Sequence, residues 1–357
     1  MDINITTDPK REYNAYLNRI NSRKSVVYAA CSLDRPAVPI PPSVANKIHH
    51  AVAMPRMLYG LDVCPLNNAG LEVMEQTHRQ NAKIVQNLPL NTPNPAPLAT
   101  LGWLSIEGQV AIMKLIFIWR ILFMPLENLY RQILLHALEA ALFTGYNNRL
   151  SPTVAMLDVV KKYGLVEKLK NSMYLENNSL SFYKAMIKKT VHEMELSRWR
   201  ASILVYRTLH IYGQSVSKIK LNVWWNFQKY YPALYKQVSS VIAVMSGTQP
   251  KQFQCNLGNE LCRLCAGRHS DKAGHILLGC EALGELRNFY LEMIIHSMPL
   301  TMKTEFMNMT NDEKLIFIIS GLKCEYCPEW CAIYYAIVNF VHDMYRKRKI
   351  LYLDHSL

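Results

Sequence analysis

Apolar side chains recur at three- and four-residue intervals along most of the chain, and no stretch alternates apolar with polar positions over the length of a strand. Spacing of that kind gathers the apolar residues on one face of a helix, so the chain reads as mainly α, in multi-helix bundle domains. Tyr13, Tyr16, Leu17, Ile20 and Val27 outline a helix over about 10–30. Pro36, Pro39, Pro41 and Pro42 then impose an extended link, because each removes a donor and biases the residue before it away from helix. A second helix is expected from Ser43, its candidate N-cap, to about Ala53. A polar-faced helix follows over 70–88, after which Pro89, Pro93, Pro95 and Pro97 block helix until about Ile106.

Residues 106–124 are apolar almost all round, the mark of a helix enclosed by others. Another helix is expected over 126–143, and Gly145 with Asn147 and Asn148 marks a boundary. Short helices are expected at 153–163, 165–173, 180–195 and 196–211, then an aromatic-rich stretch at 224–245 broken by Pro232. The last predicted helices cover 281–297, 301–308, 311–321 and 329–350. The apolar runs 109–124 and 315–341 are interrupted by Lys114 and Arg120, and by Lys323, Glu325 and Glu329. Neither offers the roughly 18 to 20 clean residues of a membrane span, so both read as core helices and no membrane partner is expected.

Charge narrows the field of partners. Lys and Arg number 40 against 27 Asp and Glu, a formal excess of +13. Residues 161–220 hold nine Lys and three Arg against four Glu, so +8 of that excess falls in one stretch. Such a surplus suits phosphate-bearing partners. The candidate contacts are Lys161, Lys162, Lys168, Lys170, Lys184, Lys188, Lys189, Arg198 and Arg200, with Arg268 downstream. The plain alternative is a solvated helical face.

The nine cysteines are odd in number and unevenly spread, and a chain of this length has no need of disulfide staples. With no apolar leader in MDINITTDPKREY, the expectation is an intracellular protein, cytoplasmic or nuclear, and not secreted. One segment concentrates ligand chemistry: Cys262, Cys265, His275 and Cys280 follow the pattern C-x2-C-x9-H-x4-C. Two thiolates separated by two residues reach one metal from a tight turn, and the histidine and third cysteine complete a tetrahedron. The expected cofactor is one structural Zn²⁺ in a small zinc-knuckle-like insert. Four protein ligands leave no open position, so the ion would fasten and not catalyse. The competing reading is free buried thiols beside an incidental histidine. His269 is an alternative ligand to His275, and Cys255 a weaker substitute.

Several motifs in order give the chain a family likeness: it resembles the C-terminal part of non-LTR (LINE-type) retrotransposon polyproteins, the thumb and reverse-transcriptase zinc-binding region beyond the polymerase active site. The resemblance rests on RMLYGLDV at 56–63, NLPLNTPNPAPLATLGWLSIE at 87–107, KKYGLVEKLKNS at 161–172 and the zinc segment followed by a helix, and spans about 15–350. It implies that Cys262, Cys265, His275 and Cys280 are the metal ligands. The expected organisation is an N-terminal helix and Pro-rich link (1–42), a helical domain that is thumb-like by the resemblance (43–148), a basic helical region (149–250), the zinc segment with its following helix (251–298) and C-terminal helices (299–357). The family's polymerase chemistry does not carry over, because two-metal catalysis needs clustered carboxylates and none of the nine Asp residues adjoins another. The expectation is a non-enzymatic remnant that binds RNA or DNA through phosphate contacts. The rivals are a protein-interaction scaffold with a structural zinc, and an accessory subunit completed by a polymerase palm domain in trans.

Three further groups weigh less. Cys324, Cys327 and Cys331 read as small buried thiols more than as a second metal site, for which His342 or Cys255 would have to supply the fourth ligand. Trp224, Trp225, Phe227, Tyr230, Tyr231 and Tyr235 read as core more than as a base-stacking platform. Residues 345–349, YRKRK, read as a solvated terminus.

Overall fold

Helix follows helix from Pro42 to Asp354 in a computed structural model of the chain, which describes residues 18, 40–64, 66–143, 151–174, 179–216, 218–254, 261–265, 272–321 and 330–354. The protein is mainly α. An isolated antiparallel bridge pairs Leu101 with Leu221, and no strand is present among the described residues. The expected helix at 10–30 lies outside the described residues, apart from Asn18.

The first described helix, α1 (Pro42–Ile48), continues through a π-helical turn, His49–Ala53, into α2 (Met54–Leu58). Ser43 is not the cap that its sequence position suggested. Pro42 already occupies the first helical position, where an absent N–H costs nothing. In α3 (Asn68–Val85) the Asn67 side chain does cap, accepting from the Gly70 N–H at 2.7 Å. The helix closes on Asn87, whose φ of 54° is left-handed, with Leu88 N–H bonded to the Lys83 carbonyl and Asn87 N–H to Ile84. The proline-rich loop is not helix-free, for α4 (Pro95–Thr100) forms within it. Pro95 and Pro97 fall in its first turn, where backbone donors have no intrahelical acceptor to lose.

The chain divides into two compact units. One comprises Ile48–His78 and Leu104–Trp199. Its centre is α5 (Ile106–Leu122), capped by Ser105 and buried along Ile106, Val110, Leu115, Ile118, Trp119 and Leu122. Packed with it are α6 (Leu129–Phe143), α7 (Pro152–Lys162) and α8 (Val166–Tyr174), which contribute Leu134, Leu138, Leu157, Val160 and Leu169 to one cluster. Ile187 and Val191 join from α9 (Leu180–Leu204), a single 25-residue helix where the sequence suggested two. Nothing at 195–197 is a breaker, so the helix runs on until the 3-10 turn Arg207–Leu209. Lys114 is buried in this core and donates to the Cys64 carbonyl at 2.8 Å. Removal from water lowers its pKa from 10.5 to about 8.

The other unit comprises the described residues of Tyr28–Lys47, Arg79–Trp103 and Arg200–Leu357. After α10 (His210–Ser215) and α11 (Val223–Tyr230) comes α12 (Tyr235–Met245), whose last eight residues are all buried. Beyond the metal segment follow α13 (Gly284–His296), α14 (Leu300–Asn308), α15 (Asn311–Ser320) and α16 (Cys331–Asp354). Thr310 and Glu313 form a capping box at the start of α15. Trp224, Trp225 and Phe227 are fully buried and Tyr235 nearly so, which makes them core, whereas Tyr230 and Tyr231 face solvent. The 345–349 run is not a solvated terminus as a whole. Tyr345 and Arg348 are buried, and Lys349 donates to the Gln252 carbonyl at 2.9 Å.

Gln86 ties this unit together. Its Oε1 accepts from Trp225 Nε1 at 2.9 Å and from Thr100 Oγ1 at 2.7 Å. Its Nε2 donates to the carbonyls of Ala82 and Pro97 at 2.9 and 2.8 Å.

Two outcomes are expected. Gln86→Ala orphans the Trp225 donor, while the Thr100 hydroxyl keeps the Ala96 and Pro97 carbonyls as acceptors, and with the cavity left behind should cost about 3 kcal/mol, read as a lower urea midpoint. For Lys114 the fold favours the neutral amine, so the unfolded chain holds the extra proton between pH 8 and 10.5. Stability therefore rises with pH across that window, by on the order of 3 kcal/mol relative to Lys114→Met. Urea titrations of both proteins at its two ends check this, and an unchanged difference would place the Lys114 ammonium in water.

Candidate metal centre

The cysteine–histidine segment folds into two halves. Cys262 and Cys265 lie on the irregular stretch 261–265, and Lys272 leads into a π-helical turn, His275–Gly279, with Cys280 immediately after it. That turn buries Ile276 and Leu277, which turns His275 and Cys280 back toward the cysteine pair. The Cys280 N–H closes the turn on the His275 carbonyl at 2.6 Å.

The four donor atoms all lie within 4.8 Å of one another. Cys262 Sγ is 3.9 Å from Cys280 Sγ, and Cys265 Sγ is 3.3 Å from His275 Nε2. A tetrahedral ion with metal–sulfur bonds of about 2.3 Å and metal–nitrogen bonds of about 2.0 Å has sulfur–sulfur edges of about 3.8 Å and sulfur–nitrogen edges of about 3.5 Å. The donor set thus fits a metal ion in both distance and kind. Three thiolates and an imidazole suit a borderline or soft cation and not a hard one. Cys262 and Cys280 are buried, while Cys265 and His275 are half-buried. Burial, then the neighbouring Cys262 thiol, pushes the Cys280 pKa up to about 12. A coordinated ion reverses that balance, since it takes the place of the thiol proton.

Other contacts hold the ligand-bearing backbone. Arg287 on α13 donates to the Cys280 carbonyl at 2.8 Å, and the Arg263 N–H donates to Tyr352 Oη on α16 at 3.1 Å. Neither Arg287 nor Tyr352 is visible as a site residue in the sequence, because no local spacing links either to the cysteines.

No family model matches the chain, and neither a curated protein nor a solved structure matches it.

The predicted phosphate contacts divide into two kinds. Lys162 and Arg198 both grip Glu107, Arg198 at 3.1 Å, and Arg198 also pairs with Glu195 at 3.0 Å. Glu195 in turn accepts from Ser105 Oγ at the head of α5. Lys170 pairs with Glu167 at 2.9 Å and Lys189 with Glu193 at 4.0 Å. Lys161, Lys168, Lys184 and Lys188 make no ion pair among the described residues, and all but the half-buried Lys184 are exposed. All of these except Arg200 belong to the α5-centred unit, and Arg268 lies outside the described residues.

His269, Cys255, Cys324 and Cys327 also lie outside the described residues. Cys331 opens α16 and bonds the exposed Tyr231 hydroxyl, whose pKa rises in consequence. His342 is engaged with Ser240 at 3.0 Å and with the Phe253 ring. No described helix is long and apolar enough to cross a membrane.

Elemental analysis of the purified chain is expected to give about one metal ion per protein, falling to background in Cys262→Ser/Cys265→Ser. Metal retained in the double variant would mean that other donors hold it.

Proposed function

We propose that the chain is a non-catalytic nucleic-acid-binding protein, fastened by one structural Zn²⁺ and descended from a non-LTR retrotransposon polyprotein. The observation that carries the metal half of this reading is the Cys262–Cys265–His275–Cys280 tetrad, with every donor within 4.8 Å of the others. Zn²⁺ suits three thiolates and an imidazole, and with four protein ligands it has no position for water or substrate. Its role is to fix the backbone between α12 and α13. The origin rests on the order of the sequence motifs at 56–63, 87–107 and 161–172 ahead of the metal segment.

The nucleic-acid half is supported by the cations that remain after internal pairing. Lys184 and Lys188 stand one turn apart on α9 and so share a face. Lys161 and Lys168 add charge at the end of α7 and within α8. Such lysines neutralise phosphates without reading bases.

A second reading, a protein-interaction module, is favoured by Leu129, Tyr130 and Ile133 on α6. They are 64, 69 and 57 % exposed, and Leu126, just before the helix, extends the stripe.

Fluorescence anisotropy against a salt series separates the two. Affinity for single-stranded nucleic acid should fall steeply with salt. Replacing Lys161, Lys168, Lys184 and Lys188 by Gln should weaken binding about tenfold or more and flatten the log–log slope by roughly 3. No binding at low salt removes the nucleic-acid reading in favour of the interaction module.

A further inference from the structure

A cleft of about 500 Å³ opens in the unit that contains α12. Arg207, His210 and Lys272 line it on the polar side, and Ile211, Val244 and Tyr345 on the apolar side. No Asp or Glu lines it among the described residues. Arg207 and Lys272 are exposed and make no ion pair among the described residues. Two cations that meet no carboxylate among the described residues and are set against an apolar wall are complementary to a ligand that is anionic at one end and apolar at the other. The volume lies within the range of small-ligand sites, about 300 to 1,000 Å³.

The cleft is a built feature of the backbone. Gly247 has a φ of +72°, and a Cβ there would stand 2.3 Å from the Thr208 carbonyl oxygen. Only glycine allows residues 244–249 to lie this close to 207–211. The third wall comes from the metal segment. Lys272 stands three residues before His275, and its carbonyl accepts from Ile276 N–H at 3.0 Å, in the turn that presents the histidine ligand. An ion held by His275 would therefore bear on the position of one of the two cations.

We infer that this cleft is a nucleotide-binding site, in which Arg207 and Lys272 hold the phosphate while Ile211, Val244 and Tyr345 receive the apolar faces of the base and sugar. The inference rests on the nucleic-acid reading, extends it to a second location and names the unit recognised. The same chemistry fits a free nucleotide or one nucleotide of a single strand, and the test distinguishes them.

The full chain is titrated with adenosine monophosphate by calorimetry and with a short fluorescein-labelled oligothymidylate by anisotropy. Arg207→Gln/Lys272→Gln should weaken whichever ligand binds by about tenfold or more, while the charge-preserving Arg207→Lys/Lys272→Arg retains most of the affinity. For the oligonucleotide, the salt slope should flatten by roughly 0.7, because one fewer phosphate is neutralised. Both residues are exposed, so an unchanged thermal melt is expected and verifies the fold. Binding of the monophosphate assigns a free nucleotide, and binding of the oligonucleotide alone assigns a strand. Wild-type affinity in Arg207→Gln/Lys272→Gln, or no binding of either ligand by the wild-type chain, overturns the inference. If oligonucleotide affinity falls only in the four-lysine variant and the monophosphate does not bind, the cleft is overturned and the lysine face stands. If it falls only in the cleft variant, the cleft stands and the lysine face does not.

Discussion

The carboxamide of Gln86 has two donor hydrogens and two acceptor positions, and all four are taken by groups buried with it. In a unit made almost wholly of helices, no sheet ladder is present among the described residues to tie distant segments together through the backbone. Side-chain bonds to the ends of short helices take that role instead, and each matters because an unmatched polar group in a dry interior is costly. Gln86 fixes the proline-containing α4 through Pro97 and Thr100, and fixes α11 through Trp225. Ser239 of α12 adds a bond to the Gln86 backbone carbonyl at 2.8 Å. Trp224 then links α11 to α15 by donating to the Ile319 carbonyl, and Tyr334 of α16 donates to Gly321. Apolar burial supplies the drive for this packing, while these bonds select one arrangement of it.

The metal segment solves a different problem. Residues 261–265 are irregular and 272–280 form little more than one helical turn, and their buried apolar content is confined to a few side chains such as Ile276 and Leu277. A four-coordinate ion closes such a segment with few residues, because ligand bonds replace a core too small to hold it. The anchoring from Arg287 and Tyr352 ties it to α13 and α16. Lys272 belongs to this same segment and lines the cleft, so an ion held by the tetrad would also bear on the ligand binding proposed there.

The helical class is legible in the sequence because a mainly local interaction produces it: apolar spacing near 3.6 residues shows wherever an amphipathic helix occurs. Boundaries are less legible where context overrides local preference. Prolines at 95 and 97 read as breakers, yet they sit in the one turn of a helix that tolerates them. The uninterrupted α9 reads as two helices, although its residues at 195–197 contain no breaker. The run at 345–349 reads as a basic tail, although Arg348 lies 4.5 Å over the Tyr352 ring and is buried there.

By itself, then, the sequence determined the helical class, the apolar enclosure of α5 and the four residues that gather into the Cys/His cluster, since spacing along a chain reports which side chains a turn or a helix face can gather. It also determined the charge, but not its disposition. Only the tertiary structure decided that Lys162 and Arg198 close on Glu107 while Lys161 and Lys168 make no ion pair among the described residues. Only the tertiary structure set residues 207, 247 and 272 around one cleft. Ion pairs and clefts join residues far apart in the chain, and their formation depends on close approach and burial, which no local pattern records.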